Sequence, residues 1–128
     1  MDSQLCKTVA LSFSQAIEKI TDALKSEGFG VLTTIDVKDT LKKKIDVNFR
    51  DYIILGACNP QLAYQALSAD GKIGLLLPCN VVIQQYDDGK VEICIADPEE
   101  MARQSNNNSL TTIAATAKLS LSRVLQKV

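Results

Sequence analysis

The sequence predicts an α+β fold, with one curved, mainly antiparallel sheet of four or five strands and helices packed on one face. Three observations carry this expectation. Short runs rich in β-branched residues alternate with segments of helical periodicity, in the order β-α-β-(α)-β-α-β-β-α. Two strand-like runs are joined only by "DDG", Asp87 to Gly89, a hairpin turn that argues against a wholly parallel sheet. The 128 residues suit a single domain, long enough to bury a core without metal or disulfide staples. A small α/β fold with parallel central strands is the alternative.

The elements follow in order. "KTVALSF" (Lys7 to Phe13) reads as the first strand, and Ser14 as the N-cap of a helix over Gln15 to Glu27. In that helix Ala16, Ile17, Ile20, Ala23 and Leu24 share one face, and Gly28 permits the left-handed stop. "FGVLTTIDV" is the second strand. Val37, Leu41 and Ile45, spaced by four, form a short helix that turns Lys42, Lys43 and Lys44 to solvent, where a small anion contact is the alternative role. "DYIILGAC" is nearly all apolar and belongs in the middle of the sheet.

Asn59 and Pro60 open the next helix, Gln61 to Ala69, as N-cap and first helical residue, with Leu62, Ala63, Ala66 and Leu67 inward. "KIGLLLPCNVVIQQY" is the longest β-like stretch. Pro78 cannot donate to a ladder and so marks a bulge, bend or edge. "KVEICIAD" returns from the hairpin, and Asp97-Pro98 starts a further short helix. "RQSNNNS" reads as a polar loop, before an amphipathic helix within residues 109–128. Its small Ala114, Ala115 and Ala117 suit close packing against a partner.

Composition narrows the chemistry. The formal net charge of −1 gives no global field to draw in nucleic acid, and no apolar run approaches the ~20 residues of a membrane span. The N-terminus lacks the pattern of a signal peptide, so a cytoplasmic setting is expected, with its four cysteines mostly reduced. There is no histidine, which removes the Ser-His-Asp and Cys-His arrangements. No Walker loop, dinucleotide fingerprint or CxxC is present.

What remains is "GACNP" and "LLPCN". Cys58 ends a strand just before a capped helix start, where backbone N–H groups favour an anion or thiolate. Cys79 follows Pro78 in a second apolar strand. The two are expected within disulfide or shared-ligand reach, a Cα separation below roughly 7 Å. They are packing cysteines, a reactive pair, or two ligands of a metal that would need a carboxylate such as Asp36 or a second subunit. Asn59 is spent on the cap, whereas Asn80 would need a partner if buried. Cys6 and Cys94 read as small hydrophobes.

With "EGFGVLTTIDV" before these motifs and "VEICIADPEEM" after them, the chain resembles the prokaryotic family known as domain of unknown function three hundred and two. The likeness runs from about Phe13 to Met101. Its motif positions here are Gly56 to Pro60, Leu77 to Asn80, Asp36, and Asp97 with Pro98. The resemblance implies a small α+β domain with a strongly bent antiparallel sheet, often dimeric, and brings no reaction, substrate or cofactor.

The functional expectation is a binding or interaction module with a small-ligand pocket around Cys58, Asn59, Cys79, Asn80 and Asp36. The alternative is a thiol-dependent redox or sensor protein, with Cys58 as thiolate and Cys79 as its resolving partner. A small molecule and a second copy of the chain are the partners expected. No metal site, cofactor or catalytic residue is assigned.

Overall fold

The computed structural model describes residues 5–128. β1 (Leu5–Val9) leads into α1 (Phe13–Ser26), then β2 (Gly30–Asp36), α2 (Val37–Ile45), β3 (Tyr52–Cys58) and α3 (Pro60–Ala69). A 3-10 turn over Gly71–Leu76 precedes β4 (Cys79–Gln85), β5 (Val91–Ile95) and α4 (Pro98–Ser105). A second 3-10 turn, Asn108–Leu110, runs into α5 (Thr111–Gln126). The strands form one sheet in the order β1-β5-β4-β3-β2, with every neighbouring pair antiparallel. This is the α+β arrangement expected.

Helices α1 to α4 begin where a side chain replaces a missing backbone partner. Asn59 Oδ1 accepts from the Leu62 N–H at 3.2 Å, with Pro60 at the first helical position. Asp97 caps α4 in the same way, accepting from Glu99 N–H at 2.9 Å. α1 starts earlier than expected, at Ser12 rather than Ser14. The Ser12 hydroxyl and the Gln15 side chain satisfy each other's backbone donors there in a capping box.

Two strand expectations are corrected. β1 spans Leu5–Val9 and ends well before Phe13, which the capped helix claims. "GKIGLL" is a 3-10 turn, because Asp70 accepts from Lys72 N–H at 3.0 Å and local backbone bonds close the turn. The Leu77–Pro78 peptide is cis, and β4 begins directly after it.

Alternation along the strands sends Ile53, Leu55 and Ala57 of β3 to one face, with Val81 and Ile83 of β4 and Val91, Ile93 and Ile95 of β5. α1 covers this face with Ala16, Ile20 and Leu24, and α5 with Ala117, Leu121 and Val124. Each large side chain fully buried there contributes roughly 1.5–3 kcal/mol before entropy is counted. Ala114 and Ala117 therefore face inward, whereas their small size had suggested close packing against a partner. A smaller cluster of Ala66, Ile73 and Leu110 lies beside the main core, built from α3, the 3-10 turns and α5. Leu67, expected inward on α3, is exposed.

Ion pairs tie the helices at their ends. Glu27 bridges Lys127 at 2.8 Å and Arg123 at 2.9 Å, joining the last turns of α1 and α5. Hydrogen bonds from Lys127 and then Arg123 hold its carboxyl below the usual glutamate range. Asp97, almost wholly buried, pairs with Lys118 at 3.0 Å and so fastens the start of α4 to α5. The lysine run sits on exposed α2, where Lys42 pairs with Asp46 and Lys43 with Asp39.

Gly56 is fixed by its neighbours. A Cβ there would meet the Pro78 ring at 2.8 Å and collide with the Thr33 hydroxyl. Gly30, on the adjacent strand, has nothing within 4 Å of the corresponding point. Gly56→Ala is accordingly expected to lower unfolding free energy in urea by about 1–3 kcal/mol through overpacking. Gly30→Ala is expected to be neutral or slightly stabilising, and equal losses for the two variants would contradict this account.

Candidate functional site

The register of β3 against β4 assembles the site. Ala57 lies opposite Cys79 and Gly56 opposite Asn80, so "GACNP" and "LPCN" meet at one end of the sheet. Cys58, the last residue of β3, is one strand across and one residue along from Cys79. α3 then starts immediately at Asn59, turning the chain over the sheet end.

Beneath this corner lies a cavity of about 70 Å³. Cys58, Asn59 and Cys79 line it from the sheet side, and Ala66, Leu110 and Ala114 from the helices. Asn59 is the one hydrogen-bonding side chain among the lining residues; the others are apolar or end in sulfur. Its Oδ1 is engaged by the Leu62 N–H, and its Nδ2 lies over Gly28, 3.1 Å from where a Cβ would stand. Gly28 has φ +85°, so glycine there serves both the turn and the close approach of Asn59.

The two thiols differ in setting. Cys58 is half-buried and Cys79 is buried; neither is in a disulfide. Burial, with a smaller contribution from nearby Cys58, pushes the Cys79 thiol from its ordinary 9.0 up to about 11. Cys79 is therefore a neutral thiol at physiological pH and a poor nucleophile.

Two of the expected site residues lie elsewhere. Asn80 alternates to the opposite, exposed face of the sheet and so needs no buried partner. Asp36 stands at the far end of β2 from Gly30, the residue that pairs with Cys58. Its carboxylate accepts from the Asp39 N–H at 2.9 Å and caps α2. The sheet thus brings together Cys58, Asn59 and Cys79, and separates Asn80 and Asp36 from them. Missing from the expected set were the helical lining residues Met101, Ala102, Leu110 and Ile113. For Leu110 and Ile113 the signal was the inward stripe of the last helix, which on its own does not say what it packs against; Met101 and Ala102 lie on α4, apart from that stripe.

The other cysteines overturn an expectation. Cys6 and Cys94 are a disulfide, with Cα atoms 4.1 Å apart, and are not separate packing residues. They are direct register partners on β1 and β5, on the sheet face away from the helices. Among the described residues no helix is long and apolar enough to cross a membrane.

The family model for the domain of unknown function DUF302 matches residues 5–128. The chain belongs to the DUF302 family. A crystal structure of an uncharacterised conserved DUF302 protein from Bacillus stearothermophilus shares 30% sequence identity, with a TM-score of 0.91. That similarity covers 99% of this chain and 98% of the other. No curated protein matches the chain. The DUF302 match includes α4 and α5, the helices that close the cavity.

The raised Cys79 pKa has a consequence for stability. A thiol with a folded pKa above its unfolded value favours the fold while protonated. That contribution is whole below pH 9.0 and is lost as pH rises toward about 11. Urea unfolding of this DUF302 chain should therefore weaken by up to about 2–3 kcal/mol across that window relative to Cys79→Ala. Parallel pH profiles for the two proteins would contradict the assignment.

Proposed function

We propose that the chain is a binding module whose cavity takes a small apolar molecule, or the apolar end of a short alkyl chain. The observation that carries this is the lining: apolar side chains from α3, α4 and α5 close over the β3–β4 end around one amide, Asn59. A cavity with a single amide offers a water too few partners to hold it well, and small apolar guests occupy such spaces. At about 70 Å³ it is well below the ~300–1,000 Å³ of drug-sized sites, so a ligand of a few heavy atoms fits the reading.

The thiol-dependent alternative is supported by the shared cavity of Cys58 and Cys79 and by the position of Cys58 before α3. Burial of Cys79 as a neutral thiol, with no base among the lining side chains, weighs against it. A cytoplasmic setting belongs to the same proposal, and there the exposed Cys6–Cys94 disulfide is a reducible exception to the thiols kept reduced.

Methyl-resolved NMR with dissolved xenon, and with propane, tests the binding reading. Saturable shifts are expected at Leu110, Ile113, Ala114 and Ala117, and Ala114→Leu should weaken binding at least about ten-fold by filling the space. Absence of saturable shifts at these methyls for either probe would sink it.

A homodimer is also proposed. Tyr64 and Leu67, one turn apart on α3, and Leu75 of the following 3-10 turn are exposed apolar side chains. Light scattering should give twice the 13.9 kDa chain mass, falling toward one chain in Leu67→Glu/Leu75→Glu. A single-chain mass for the unmodified protein at high concentration would contradict it.

A further inference from the structure

The sheet face away from the helices carries a second chemical cluster. Cys6 is exposed and Cys94 half-buried, and neither belongs to the hydrophobic core. A thiol reductant can therefore reach their disulfide, and opening it leaves the core packing in place. Glu92 stands two residues before Cys94 on β5, so its side chain shares the same face. A carboxylate oxygen of Glu92 and the two sulfurs all lie within 4.8 Å of one another. The Tyr86 hydroxyl donates to Glu92 Oε1 at 2.9 Å and orients the carboxylate, as outer partners of metal ligands do.

We propose that Cys6, Cys94 and Glu92 form a redox-gated site for a thiophilic divalent cation such as Zn²⁺, closed as the disulfide and open as the dithiol. Opening takes two electrons and two protons from a dithiol reductant, which becomes a disulfide as the Cys6–Cys94 bond breaks. Both thiols then release their protons to solvent as the cation binds. Two thiolates and one carboxylate supply three protein ligands, and water completes a tetrahedron. Zinc–sulfur bonds of ~2.3 Å and zinc–oxygen bonds of ~2.0–2.2 Å place ligand atoms roughly 3.3–3.8 Å apart. The Glu92 oxygen already lies within 4.8 Å of both sulfurs, and the two sulfurs, bonded in the disulfide, move apart to that spacing once reduced. The cavity pair Cys58 and Cys79 has no carboxylate beside it among the lining residues and offers only two ligands.

The full chain, reduced and freed of reductant without oxygen, is titrated with Co²⁺ as the spectroscopic probe and then with Zn²⁺ in competition. The expected result is one Co²⁺ per chain with thiolate-to-cobalt charge-transfer absorption, bleached by Zn²⁺. The band should persist in Cys58→Ser/Cys79→Ser and vanish in Cys6→Ser, in Cys94→Ser and in the oxidised chain. Glu92→Gln should weaken binding about ten-fold or more. Circular dichroism of the reduced chain should be unchanged. Absence of the band in the reduced protein, its dependence on Cys58 and Cys79, an unaffected Glu92→Gln, or unfolding on reduction would each overturn the proposal.

Discussion

Pairing of β3 with β4 is the constraint on which the rest of the structure depends. With Ala57 opposite Cys79 and Gly56 opposite Asn80, the two cysteine–asparagine motifs meet at one end of the sheet. A slip of β4 by one residue would turn Val81 and Ile83 out of the core and bring Asn80 in, which a one-sided sheet does not tolerate. Gly56 enforces the same register from the other face, since only a residue without Cβ leaves room for Pro78 and Thr33. The proline that interrupts the apolar run and the glycine that precedes Ala57 are two halves of one contact.

From that register follows a division of chemistry between the two sheet faces. The inner face is apolar and covered by α1 and α5, so a thiol placed there, Cys79, is kept neutral by desolvation. The outer face carries Asn80, Glu92, Cys94 and Cys6, where solvent makes charged and redox forms affordable. Cys58 sits at the boundary because it ends its strand. The four cysteines thus form two pairs, set apart by the alternation of a pleated strand.

Much of this was legible in the sequence because it is local. Asn59-Pro60 and Asp97-Pro98 announce helix starts by residue type alone, and the stripes of α1 and α5 predict their buried faces. The polar "RQSNNNS" segment was read as a loop, yet its first residues complete α4. Asn106, at φ 55°, then ends that helix. Apolar composition misled over "GKIGLL", where the Asp70 cap outcompeted β propensity. Long-range pairing was beyond reach. Cys6 and Cys94 are 88 residues apart, and nothing local says that β1 lies beside β5. The alternation of Cys94 with Val91, Ile93 and Ile95 sets it off the core face, the one local signal against reading it as a packing residue. Asp36 was grouped with the cysteines for its chemistry, while the strand direction of β2 carries it to the far end of the sheet.

The most direct measurement is a crystal of the protein held under xenon pressure, since xenon reports small apolar space without requiring any hydrogen bond. The account predicts an anomalous peak between Cys79, Ala66 and Leu110, beneath the β3–β4 end, that disappears when Ala114 is replaced by leucine. An empty map at that position, with xenon bound elsewhere in the same crystal, would contradict it.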